Sequence, residues 1–281
     1  MAIPLDLPCR ATVAPTQLLG GLPLLPLSHS SPKHLHLQRC AVVGSADTLR
    51  LEPRGREIDA HDVIFRLNNA PTAGWDVGEA AVGSRTSVRV VNHVPIEKWI
   101  LRATNGTALR ASVDGSEYAE LLCAPGQADL GCVVSLVGRG KGFGEKLQTY
   151  RRLYPAHSIQ VMSEALLRYG TRCNHELHGT APSGGLLTVL LASATCAMPI
   201  SLYGFWPFCC HAHHGWPAMN YKYSQGNRTA WVCCSKGREK MELEYAWYQK
   251  LARRGLVRLV GDRPAARVHE HQPDRVYRNK S

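Results

Sequence analysis

Residues 40–47 read CAVVGSAD, a short apolar run closing on Gly44, Ser45, Ala46 and Asp47. Such a run is a buried strand, and small residues at its carboxyl end mark a tight turn into the next element. In open α/β sheets that end of a strand is where ligands bind. On this segment alone, an ordinary βα turn without a ligand is the stronger reading.

The pattern repeats outward from there. Further strands are expected at 62–67, 86–92, 132–138, 158–162, 200–205 and 256–260, with helical stretches between them. Strands alternating with helices predict a mostly parallel sheet covered on both faces, so the expected fold is a single, doubly wound, seven-stranded α/β domain over 37–262. Residues 1–36 read as a disordered leader and 263–281 as a basic, solvated tail despite its His269-Glu270-His271. The leucines of the leader are interrupted by Pro15, Pro23 and Pro26, so no membrane span is visible there. The polar stretch 103–130 is expected to be a surface excursion.

Two helices have defined ends. Ser183 is a helix cap ahead of Leu186, Leu187, Leu190, Leu191 and Ala194, and Pro199 lies beyond its end. The glycines after that cap, Gly184 and Gly185, bare backbone N–H groups at the positive end of the helix dipole, which can hold a phosphate. A purely structural cap is equally compatible with this motif alone. The second helix runs from about Lys240 to Arg254, with Met241, Tyr245, Tyr248 and Leu251 on one face and Gly255 as its stop.

Lys and Arg number 33 against 22 Asp and Glu, a net charge of +11 that favours anionic ligands. The basic residues are scattered and no nucleic-acid-binding motif occurs, so nucleic acid is not an expected partner. The 10 cysteines include no C-x-x-C pair and suit disulfides in an oxidising compartment better than a zinc finger. Sequons at Asn105 and Asn227 agree with a secretory setting. Cys209-Cys210-His211-Ala212-His213-His214, with Cys233-Cys234 downstream, leaves three readings open: a solvated loop with local disulfides, a metal site, or a source of a substitute base.

Taken together, residues 40–95 resemble the long donor-binding motif of the sialyltransferases, through Cys40, Ile58-Asp59, Phe65-Arg66-x-Asn68 and Val82-Gly83-x-Arg85-Thr86. Residues 181–208 resemble the family's short motif, and Tyr203-Gly204-Phe205-Trp206-Pro207-Phe208 is most similar to the α-2,8 branch. The resemblance implies a Rossmann-like frame of the glycosyltransferase-A variant and a Golgi location. It also implies transfer of a sialic-acid-type sugar from cytidine monophosphate (CMP) to a glycan, with no metal or other cofactor. Absence of any Asp-x-Asp agrees with metal independence. Donor contacts carried over are Gly44, Ser45, Asn68, Ser183, Gly184, Gly185, Gly204, Phe205 and Trp206, and the resemblance implies a Cys40–Cys196 disulfide.

The carboxyl-terminal motifs depart from the family. Ser45 stands where an Asn is usual. Tyr221, in Tyr221-Lys222-Tyr223-Ser224, stands in place of a His, and Glu239, anchored by Glu244 and Gly255, stands in place of the catalytic His. The expected catalytic set is therefore Glu239, Glu244 and Tyr221, with Trp206, Trp216, Tyr221 and Tyr223 as aromatic candidates for an acceptor floor, core packing being an equal reading of Trp206. A carboxylate with an ordinary pKa near 4.3 is a weaker base than imidazole near 6.5 unless burial raises it. The alternative is a catalytically silent member that binds CMP-sugar or glycan.

Overall fold

The computed structural model describes residues 39–46, 48–68, 70–72, 78–92, 100, 133–136, 142–153, 158–162, 166–172, 182–206 and 238–261. The expectations for the leader, the tail, the 103–130 stretch, the sequons at Asn105 and Asn227, Asp47, the Cys209–His214 cluster, Cys233-Cys234, Trp216, Tyr221 and Tyr223 fall outside them.

Seven strands form one sheet: β1 (Cys40–Val43), β2 (Val63–Leu67), β3 (Val88–Val91), β4 (Val133–Leu136), β5 (Ser158–Val161), β6 (Ile200–Tyr203) and β7 (Val257–Val260). Their spatial order is β5-β4-β3-β2-β1-β6-β7, and every neighbouring pair is parallel. The chain steps outward from β1 to β5, then returns to lay β6 against the other side of β1. The order reverses between β1 and β6, which makes the carboxyl ends of those strands the switch point.

Strands β2, β3, β5, β6 and β7 are each shorter than expected, two of them for evident local reasons. The 200–205 segment leaves the ladder after Tyr203 because Gly204 takes φ +65°. At 86–92 the first residues serve other contacts: the Ser87 hydroxyl accepts from the Ile64 N–H at 3.1 Å, and Thr86 accepts from Arg66.

The helical elements are α1 (Thr48–Leu51), α2 (Gly55–Asp59), α3 (Gly78–Val82), α4 (Phe143–Leu153), α5 over 166–172, α6 (Gly184–Thr195) and α7 (Arg238–Arg253). Alternate residues of the strands feed two cores, as the two-residue period of a strand requires. Cys40, Val42, Val63, Phe65, Val88, Val90 and Leu202 pack with α5, α6 and α7. Ala41, Val43, Ile64 and Tyr203 pack with Leu49, Ile58, Ala81 and Val82 of α1–α3. Single turns such as α1 and α2 escape a periodicity reading because they are too short to nucleate alone and depend on those contacts.

Helix α6 is buried on every side from Leu186 to Ala194, beyond the single apolar stripe expected. Its polar residues fit because their hydroxyls bond back to the preceding turn, Thr188 to the Gly184 carbonyl and Ser193 to the Val189 carbonyl, both at 2.7 Å. Helix α7 begins at Arg238 rather than near Lys240, so Glu239 lies inside its first turn instead of ahead of it. It ends in a Schellman motif: Gly255, at φ +70°, donates to the Ala252 carbonyl, and Leu256 donates to the Leu251 carbonyl.

Cys40 at the start of β1 is joined to Cys196, the carboxyl-terminal cap of α6, across a separation of 156 residues. The chain-entropy relation assigns a loop of that length about 4 to 5 kcal/mol. Replacing both cysteines by Ser should lower the stability measured by denaturant titration by several kcal/mol, and peptide mapping without reduction should recover the linked pair from the parent.

Candidate functional site

Four turns meet at the carboxyl ends of the central strands. After β1, Gly44 donates to the Tyr203 carbonyl at 2.7 Å and Ala46 donates to the Gly204 carbonyl at 3.1 Å, which zips the turn after β1 to the turn after β6. A Cβ on Gly44 would lie 2.3 Å from the Gly204 oxygen, and a Cβ on Gly204 would lie 2.6 Å from Leu49 Cδ1. Only glycines permit this approach. Ser45, half-exposed on the rim, has a hydroxyl with no hydrogen-bond partner among the described residues.

Past Gly204, Phe205 and Trp206 turn onto helix α7. Phe205 packs edge-on against Tyr248 at 5.2 Å and Trp206 against Tyr245 at 5.3 Å. Phe205 also reaches the start of α6, where a Cβ on Gly185 would lie 3.2 Å from its ring and 3.8 Å from Leu67 Cδ1. Leu67 precedes Asn68, so the start of α6 sits beside the ends of both β2 and β6. The sequence left Trp206 between core packing and an acceptor floor, and its contact with Tyr245 is of the packing kind.

Asn68 adopts φ +46°, the one non-glycine in the left-handed region among the described residues. It is held there on three sides: its N–H donates to the Val90 carbonyl at 2.7 Å, its Oδ1 accepts from the Asn92 N–H at 3.1 Å, and its carbonyl accepts from Arg89 at 3.0 Å. With the side-chain oxygen engaged, the carboxamide NH2 is what Asn68 can offer a ligand. A residue kept in this strained region by its surroundings is a feature of functional sites.

Much of the long motif turns out to be scaffold. Asp59 accepts from the Ser84 N–H at 2.8 Å and from the Arg85 N–H at 3.0 Å, while Arg85 donates back to the Asp59 carbonyl. Gly83, at φ +73°, has no room for a Cβ beside Asp59 Oδ1. Arg66, wholly buried, donates to the Val82 carbonyl at 2.7 Å, the Arg85 carbonyl at 2.9 Å and Thr86 Oγ1 at 3.1 Å. Ile58-Asp59, Arg66 and the 82–86 segment thus interlock behind the sheet rather than on the rim. No residue-level signal separates them from ligand contacts; their polar partners lie about 20 residues away in the chain and meet only on folding.

At the start of α6, Ser183 is the cap, its Oγ accepting from the Leu186 N–H at 3.0 Å. Its own N–H donates to Glu244 Oε1 at 3.0 Å and its hydroxyl donates to Glu244 Oε2 at 2.5 Å. Glu244 is only 2% exposed, so this carboxylate of α7 is fixed against the amino end of α6. Burial, and then the charge of Glu244, push the Tyr248 phenol well above its usual pKa, so it stays protonated. Of the expected catalytic set, the structure therefore places Glu244 on the cap of the short-motif helix, puts the Glu239 backbone one turn ahead on the same helix, and does not describe Tyr221. Among the described residues no cluster of His, Cys, Asp or Glu is arranged to hold a metal, and no helix is long and apolar enough to cross a membrane.

Fold and rim together define a parallel α/β protein with glycine-bearing turns and a glycine-rich helix start gathered at its switch point. Residues 12–256 match the family model of glycosyltransferase family 29, the sialyltransferases, and the chain belongs to that family. It is similar to human CMP-N-acetylneuraminate-beta-galactosamide-alpha-2,3-sialyltransferase 1, with 30% identity over 169 residues, 60% of this chain and 44% of that protein. It is also 42% identical to human beta-galactoside alpha-2,6-sialyltransferase 2 over 84 residues, 29% of this chain and 15% of that protein. The chain thus spans less than half the length of these relatives. A crystal structure of a mammalian sialyltransferase aligns with a TM-score of 0.48 at 21% identity, covering 81% of this chain and 70% of that one.

The rim makes a paired expectation. Gly44→Ala drives a methyl into a backbone carbonyl and should cost about 1 to 3 kcal/mol or prevent folding. Gly184→Ala meets nothing within 4 Å and should be neutral or raise stability by roughly 0.4 to 1 kcal/mol through the unfolded chain. Denaturant midpoints of the two variants check both signs.

Proposed function

We propose that this chain transfers a sialic-acid-type sugar from a CMP conjugate to a glycan hydroxyl, with inversion at the anomeric carbon, on a glycosyltransferase-A-like frame. The observation that carries the reading is the convergence of the Gly44-Ser45 turn, Asn68 and the Gly184-Gly185 helix start at the switch point, joined to the family match. In this reading Ser45 and Asn68 bind the nucleoside, and the start of α6 receives the single phosphate. Gly204, Phe205 and Trp206 shape the wall beside it. One phosphate at a helix start needs no divalent ion. The Cys40–Cys196 bridge supports an oxidising lumen, the Golgi by family, as the place of action.

In the reaction, the acceptor oxygen forms a bond to the anomeric carbon as the bond to the CMP phosphate oxygen breaks. CMP departs with the bonding pair, and the acceptor proton passes to Glu239 at the start of α7. Tyr221 takes the place of the second motif histidine on the acceptor side. A second reading, a silent CMP-sugar or glycan binder, draws on the same substitutions: Glu239 and Tyr221 at histidine positions and the short Ser45 where an Asn is usual.

CMP should bind with the same affinity in calorimetry with and without a chelator; binding only with a divalent ion present would contradict the assignment. In assays of CMP-sugar turnover, Glu239→Gln should lose about a hundredfold or more while still binding CMP, and Glu239→His should retain or gain rate. Full activity in Glu239→Gln with a dead His213→Ala would move the base to the histidine cluster. CMP binding without turnover by any form would favour the silent reading.

A further inference from the structure

Of the five N–H groups from Ser183 to Leu187 at the amino end of α6, three are consumed inside the protein. Ser183 N–H is held by Glu244 Oε1, Leu186 N–H by Ser183 Oγ, and Leu187 N–H by the Ser183 carbonyl at 3.1 Å. The Ser183 hydroxyl proton is also committed, to Glu244 Oε2. Among the described residues the Gly184 and Gly185 N–H groups have no hydrogen-bond acceptor, and no described atom lies within 4 Å of a Cβ placed on Gly184. Glu244 is anchored on α7, 61 residues away in sequence, and carries a buried charge against this helix start.

We propose that Glu244 is a positioning residue that takes Ser183 out of the anion site. It leaves the Gly184 and Gly185 N–H groups as the ligands of the donor phosphate and lowers phosphate affinity through its own negative charge. This deepens the function proposed above and rests on it. The carboxylate carries no proton in the reaction. It sets how strongly the phosphate is held, which bears on release of CMP as product, and it locks the helix bearing Glu239 to the helix that receives the donor.

The reasoning is electrostatic and geometric. A helix start attracts anions through its exposed N–H groups and dipole, and an internal carboxylate satisfies part of that attraction before any ligand arrives. A serine hydroxyl has one proton to donate, and here Glu244 holds it. Ser183 therefore acts on the ligand through the shape of the cap and not by contact.

The test compares binding of CMP with that of cytidine, whose ratio isolates the contribution of the phosphate, by calorimetry on the parent, Ser183→Ala, Ser183→Thr and Glu244→Gln. Glu244→Gln is nearly isosteric and keeps an acceptor for the Ser183 N–H, and Ser183→Thr keeps a capping hydroxyl, so folding is preserved in at least these two. Glu244→Gln should raise the CMP-to-cytidine ratio about tenfold, the scale of removing one nearby like charge at intermediate dielectric. Ser183→Ala should leave the ratio within about twofold while lowering the melting temperature through the lost cap. In amide NMR of the parent, CMP should shift the Gly184 and Gly185 resonances and cytidine should not.

Collapse of the ratio in Ser183→Ala with cytidine affinity unchanged would make the hydroxyl a direct phosphate ligand and overturn the inference, as would a lower ratio in Glu244→Gln. If cytidine and CMP bind the parent equally, the nucleoside assignment stands and the phosphate inference fails. If neither binds, the donor reading falls and takes the inference with it.

Discussion

Everything on the rim depends on two backbones coming closer than any side chain allows. The turn after β1 donates two hydrogen bonds to the turn after β6, from the Gly44 N–H to the Tyr203 carbonyl and from the Ala46 N–H to the Gly204 carbonyl. Because β1 and β6 are neighbours where the strand order reverses, this contact fixes the position from which the two adjoining turns diverge. The Cys40–Cys196 bridge ties the start of the same strand to the far end of α6. β1 is thereby secured at both ends to the segment that carries the short motif.

Behind this rim, the polar residues of the long motif answer a different demand. Burying a guanidinium costs far more than burying an apolar group unless each donor finds an acceptor. Arg66 and Arg89 face each other across β2 and β3 and spend their donors on carbonyls of the 68–70 and 82–85 segments. Those segments bear Asn68 at one end and the Asp59 interlock at the other. These bonds tie the 68–70 and 82–86 segments to two buried guanidinium groups and so hold the motif together from behind.

Helix α7 joins the two halves of the proposed chemistry. Its buried face packs Tyr245, Trp247, Tyr248 and Leu251 into the core, with Phe205 and Trp206 against it. Its Glu244 grips the cap of α6, and its first turn contains Glu239. Residues contributed by one rigid helix keep a fixed separation, which would keep the proposed proton acceptor and the proposed phosphate-holding turn in register.

The sequence by itself determined the alternation of strands and helices, the cap at Ser183, the stop at Gly255 and the family, because each is written in local periodicity, local turn chemistry or contiguous motifs. It also named Gly44, Asn68 and Gly185 as expected donor contacts, and the fold gathers these three at the carboxyl ends of the central strands. Tertiary structure alone decided the strand order, the burial of α6 on every side, and the roles of Asp59, Arg66 and Glu244. Those roles are set by partners 16 to 61 residues away, and a hydrogen bond between such distant residues leaves no period or spacing in the chain. A glutamate on a helix reads as an ordinary solvent-facing charge until the packing of α7 on α6 buries it and supplies the two donors of Ser183.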